Sequence, residues 1–101
     1  MSILGKWRII EMPDYVDAYP DMVEPAYIRF GTSGGAFAFG CVTGTIHEMA
    51  EGDAVDFTWS GSDEGDEASG DGWAELKEDG TLEGQICFQN GDEADFIARR
   101  W

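Results

Sequence analysis

The sequence predicts an all-β domain spanning residues 1–101: a small antiparallel up-and-down β-barrel of about eight strands, with a β-sandwich as the alternative. Three observations predict it. First, apolar and polar residues alternate in short segments, as in Val55, Phe57 and Trp59 or Ala94, Phe96 and Ala98, which is the period of a half-buried strand. Second, glycine occurs 14 times and falls between these segments, about twice its usual share of roughly 7%. Third, no apolar stripe at helical spacing is long enough to cover a flat sheet. The ribbons must therefore pack face to face or curl until the first and last meet, and closure removes exposed edges.

Taken in order, strands are expected at Lys6–Met12, Ala26–Phe30, Gly35–Val42, Thr43–Met49, Ala54–Trp59, Gly72–Lys77, Leu82–Gln89 and Ala94–Arg100. Between the first two, Tyr15, Ala18, Tyr19, Met22 and Val23 fall at helical spacing after Pro13 and Asp14. Pro20 disfavours helix at Tyr19, so the prediction is a short helical segment of one or two turns capping the sheet. Asp79-Gly80 and Asn90-Gly91 suit two-residue type I′ turns, while Ser33-Gly34-Gly35 and Glu51-Gly52-Asp53 suit slightly longer ones. Ser60 to Asp71 reads as the longest loop. Cys41 shares the parity of Phe37 and Phe39, whereas Cys87 lies between Ile86 and Phe88. The two thiols then project to opposite sides of the sheet and stay reduced.

Composition narrows the function classes. With 43% hydrophobic and 13% aromatic residues the chain is one globular domain rather than a disordered segment. Against 21 acids stand 6 bases, a net charge of −15, which excludes a nucleic-acid binder because that affinity rests on Lys and Arg neutralising phosphates. The start, Met1 to Lys6, lacks the basic and apolar regions of a secretory leader, and no apolar run reaches the roughly 20 residues that span a bilayer. The expectation is a cytoplasmic protein that does not engage membranes.

Two resemblances add expectations. Gly5-Lys6-Trp7 near one end and Arg99-Arg100-Trp101 at the other resemble the lipocalin or calycin arrangement, in which a glycine-x-tryptophan on the first strand is covered by an arginine from the last. Trp59-x-Gly61-x-Asp63-Glu64-x-Asp66, Gly70-x-Gly72-Trp73-Ala74 and Phe88-x-x-Gly91-Asp92-Glu93 resemble a family of small bacterial proteins with no assigned activity. In that family the position of Gln89 is often histidine, which implies that a reaction depending on it cannot operate here.

Candidate chemistry is sparse. From Asp63 to Asp71 five carboxylates fall within nine residues; Asp63, Glu64, Asp66 and Asp71 are the candidate ligands for calcium, a hard cation that takes six to eight oxygens. Their adjacent-pair spacing departs from an EF-hand loop. The aromatics Trp7, Phe37, Phe39, Phe57 and Trp59, with Phe88 and Phe96, face the interior, which an eight-stranded barrel either fills or keeps open for one small ligand. Strands of about seven residues, about 23 Å, favour filling. His47 is the sole histidine, and strand alternation turns Glu48 away from it. Ser33, Ser60, Ser62 and Ser69 are expected in turns. With 21 acids, some pair at glycosidase spacing is inevitable by chance. Tyr27 or Trp73 could contribute to a protein contact. The acidity suits solubility, or attraction of a basic partner by imitating phosphates, although the acids gather in loops rather than along one face. The sequence therefore points to a non-enzymatic binding module without a cofactor, for a protein partner or a small apolar ligand. Its rivals are a carboxylate metal site and a nucleic-acid mimic.

Overall fold

The computed structural model describes residues 3–15, 19–32, 34–51 and 54–101, with residues 48–51 described by their backbone. Among them eight strands run β1 (Gly5–Glu11), β2 (Tyr27–Gly31), β3 (Gly34–Phe39), β4 (Val42–Glu51), β5 (Ala54–Asp63), β6 (Asp66–Leu76), β7 (Leu82–Phe88) and β8 (Glu93–Arg100). Each pairs antiparallel with the next, and β1 pairs with β8, closing the barrel. The predicted fold class holds.

Inward positions carry the apolar residues that the alternation foretold. Trp7, Ile9, Ile28, Phe30, Phe37, Phe57, Trp59, Ile86 and Phe96 are buried, and the described residues include no buried polar side chain. Phe37 meets Trp59 edge-on at 5.0 Å, Trp59 meets Phe88 at 5.3 Å and Phe30 meets Phe57 at 5.8 Å. Gly70 pairs with Trp59 across β5 and β6, and a Cβ there would stand 1.9 Å from the Cys87 carbonyl oxygen. The indole Nε1 donates to the carbonyls of Asp71 and Cys87 at 3.2 Å each.

Both ends are capped by local chemistry. At the end where β1 begins and β8 finishes, the Arg100 guanidinium stands 4.0 Å above the Trp7 ring and donates to the Leu4 carbonyl at 2.6 Å. This is the arginine-over-tryptophan contact expected from Gly5-Lys6-Trp7. At the other end no helix forms among the described residues of the β1–β2 connection. Tyr15 N–H donates to Met12 and Met22 N–H to Tyr19, two separate turns, and residues 16–18, including Ala18, lie outside the described residues. Pro20 withholds a donor and disfavours helix at Tyr19, and the tyrosines serve as a plug instead. Tyr15 and Tyr19 stack at 5.0 Å, and Tyr15 packs on Phe39 at 5.7 Å.

Two local expectations are corrected. Most of the predicted loop over residues 60–71 is strand: β5 and β6 pair continuously down to Asp63 opposite Asp66. The hairpin turns on Glu64 and Gly65 alone, with φ of 54° and 88°, the two left-handed residues of a type I′ turn. Conversely, Asp79-Gly80 and Asn90-Gly91 sit in three-residue loops. Gly80 N–H donates to Lys77 and Gly91 N–H to Phe88, while Lys77 N–H donates to Thr81 and Phe88 N–H to Asp92. The third loop residue takes positive φ in each, the usual alternative to a two-residue hairpin. Residues 33, 52 and 53, within the other two predicted turns, lie outside the described residues.

Candidate functional site

The predicted site residues divide into a buried group and a scattered group. Trp7, Phe37, Phe39, Phe57 and Trp59 are all at most 3% exposed and belong to one core inside the barrel, with Phe37 in ring contact with both Phe39 and Trp59. Of the four acids, Asp63, Glu64 and Asp66 share the β5–β6 tip. Asp71 lies five residues further along β6, opposite Thr58, roughly 16 Å away at strand rise. Among the described residues no group of three or more His, Cys, Asp or Glu side chains is arranged to hold a metal ion. The continuous hairpin pulls apart the acids that a loop would have gathered.

The serines are also relocated. Ser60, Ser62 and Ser69 lie on strands, and Ser33 lies outside the described residues. The β4–β5 register slips between Ile46 and Glu48, which makes His47 the extra residue of a β-bulge and aims it at β5. His47 Nε2 and Ser60 Oγ are 2.5 Å apart, and Ser69 Oγ donates to Gln89 Oε1 at 2.8 Å. Ser60, Ser69 and Gln89 border an open cleft of about 610 Å³ whose lining includes Asp63, Asp66 and Phe88. Among the described residues no carboxylate is hydrogen-bonded to His47 in the place of the third group that orients a base. Sequence reasoning missed this contact because a bulge leaves no residue-level signature in the chain.

Both cysteines are free and half-buried. Cys41, predicted on a strand, sits in the β3–β4 turn, where its N–H donates to the Tyr19 hydroxyl at 3.3 Å. Cys87 faces outward; burial first, then Asp71, Glu93 and Asp95, push its thiol pKa above the ordinary value.

The most developed surface is the outer face of β5 to β8. Trp73 is 39% exposed there, because Gly72 and Ala74 take the inward places on either side. Pairing puts Asp56 of β5 beside it and Gln85 and then Asp95 beyond it on β7 and β8, with Asp71 and Glu75 two residues away along β6. Tyr27, the other aromatic singled out, has Lys6 Nζ over its ring at 4.8 Å. Trp73 has no such partner among the described residues. A groove of about 440 Å³ opens between Trp73 on one side and Pro13 and Ile97 on the other, with Gln85, Glu83 and Asp95 completing it. Gln85 Nε2 donates to Asp95 Oδ1 at 2.8 Å, and Asp95 N–H donates to Asp14 Oδ2 at 3.1 Å. At the groove's edge Lys77 bridges Glu83 at 3.2 Å and Glu75 at 3.6 Å. The hydrogen bond to Glu83, then the charge of Glu75, raise the Lys77 pKa.

No helix of the described residues is long and apolar enough to cross a membrane. Comparison with family models, curated proteins and solved structures finds no match for this chain.

Proposed function

We propose that this protein is a non-enzymatic binding module that docks a basic protein partner on the outer face of β5 to β8. The observation that carries this reading is the exposed indole of Trp73 standing among Asp56, Asp71 and Glu75. An aromatic face surrounded by carboxylates attracts Lys and Arg twice, through the ring quadrupole and through charge. Outward tryptophan is also the residue type most enriched at binding hot spots. The net charge of −15 accelerates encounter with such a partner. An apolar ligand has less support, since the five interior aromatics are buried in the barrel's own core. A metal has less support as well, since the candidate acids are split along the hairpin.

The test is fluorescence polarisation of a labelled peptide of repeated Lys-Arg-Gly at about 50 mM and 300 mM salt. Saturable binding that weakens with salt is expected. The Asp56→Asn/Asp71→Asn pair should weaken it about fivefold, whereas Glu24→Gln/Glu64→Gln, an equal charge removal elsewhere, should weaken it less than twofold. Equal effects of the two pairs would reduce the attraction to bulk charge and end this reading.

A further inference from the structure

The groove beside Trp73 carries a more specific inference, which rests on the reading just given. We propose that it seats a single arginine side chain, presented by an extended segment of the basic partner and lying across β7. Three features of the groove select that occupant. Its walls are apolar on both sides, Trp73 facing Pro13 and Ile97, and suit a methylene stem rather than a hydrated head group. Its far end is acidic. Asp95 stands there, in no ion pair among the described residues, with its N–H donating to Asp14 Oδ2. Glu83, in contrast, is already matched by Lys77.

Geometry sets the length. Trp73, Gln85 and Asp95 stand in one row on three successive strands, so the indole and the Asp95 carboxylate are about 10 Å apart at two strand spacings. A long side chain is required to pack on one and reach the other. Gln85 Nε2 donates to Asp95 Oδ1 and so fixes the carboxylate that lines the groove. A carboxylate held in place matches the planar fork of a guanidinium, which offers five donors, better than the single point of an ammonium. The indole rewards the same choice, because a guanidinium and its stem stack flat on it.

The experiment is an NMR titration of the 15N-labelled protein with capped Gly-Gly-Arg-Gly-Gly and its lysine and citrulline counterparts. The arginine peptide should shift the Trp73 indole N–H, the Gln85 side-chain amide and the Asp95 amide saturably. The lysine peptide should bind about threefold or more weakly, and the citrulline peptide should not saturate. Asp95→Asn keeps the acceptor for Gln85 and removes the charge. It should raise the arginine Kd about fivefold and erase the preference over lysine. Equal binding of arginine and lysine, shifts centred away from Trp73, or an unchanged Kd in Asp95→Asn would overturn the inference. The repeated Lys-Arg-Gly peptide separates this failure from that of the wider reading. If it still binds in a manner sensitive to Asp56→Asn/Asp71→Asn, only the arginine groove falls. If it does not, both fall.

Discussion

Arg100 shows how much one side chain does here. Its guanidinium covers Trp7, which is 1% exposed, and reaches the Leu4 carbonyl beyond it, thereby sealing the end of the barrel where β1 begins and β8 finishes. Arg100→Ala should lower stability in urea denaturation by about 0.5–2 kcal/mol, the range of a cation over an indole, and Arg100→Lys by less. Asp21 does a comparable task for the β1–β2 connection. It accepts two hydrogen bonds from Arg8, at 2.8 and 2.9 Å, and one from the Ala26 N–H. Arg8 first, then Ala26, hold its pKa below the ordinary carboxylate value. A carboxylate lowered in the folded state stabilises it above the unfolded pKa, and that stabilisation is lost as pH falls through the folded one. Because the Asp21 side chain is 47% exposed, the contribution is screened to about 1 kcal/mol or less. Asp21→Asn should therefore cost a little stability at pH 7 and make the acid limb of the stability profile shallower.

At the scale of elements the β5–β6 hairpin decides where the acids go. Its type I′ turn puts Glu64 at a φ of 54°, a conformation that costs most side chains energy and asparagine little. Glu64→Asn should raise the thermal midpoint, with a gain of about 0.5 kcal/mol, while Gly65→Ala at φ 88° should cost about 1 kcal/mol although nothing lies within 4 Å of the added methyl. Gly84 makes the opposite case, since a Cβ there would meet the Trp73 carbonyl oxygen at 2.4 Å and the Phe96 ring at 2.6 Å. Gly84→Ala should cost about 1–3 kcal/mol by overpacking. The eight strands were legible from alternation, because burial on one face imposes period two wherever the strand is paired. The hairpin tip was not. Ser60 to Asp71 contains small and acidic residues without an apolar face to mark the parity, and its strand character comes from pairing with a neighbour rather than from any local preference.

The whole molecule is a closed surface with a strongly negative exterior. Closure leaves no unpaired sheet edge, so the chain is protected from edge-to-edge association by topology as well as by charge. The net charge of −15 works against the compact state through self-repulsion. Raising NaCl from about 0.02 M to 0.5 M should therefore increase the thermal midpoint by screening, measured by circular dichroism. A midpoint indifferent to salt would mean that the acids lie too far apart to repel.

Fold class, the inward set and the acidity were determined by the sequence alone, because each follows from the pattern of neighbouring residues along the chain. The tyrosine plug, the His47–Ser60 contact and the groove between Pro13, Trp73 and Ile97 were decided only by the tertiary structure. These contacts depend on which strand lies beside which and in what register. Barrel closure and the register shifts between Ile9 and Glu11 and between Ile46 and Glu48 set that register, and the outward side chains it brings together have no shared burial to announce their meeting.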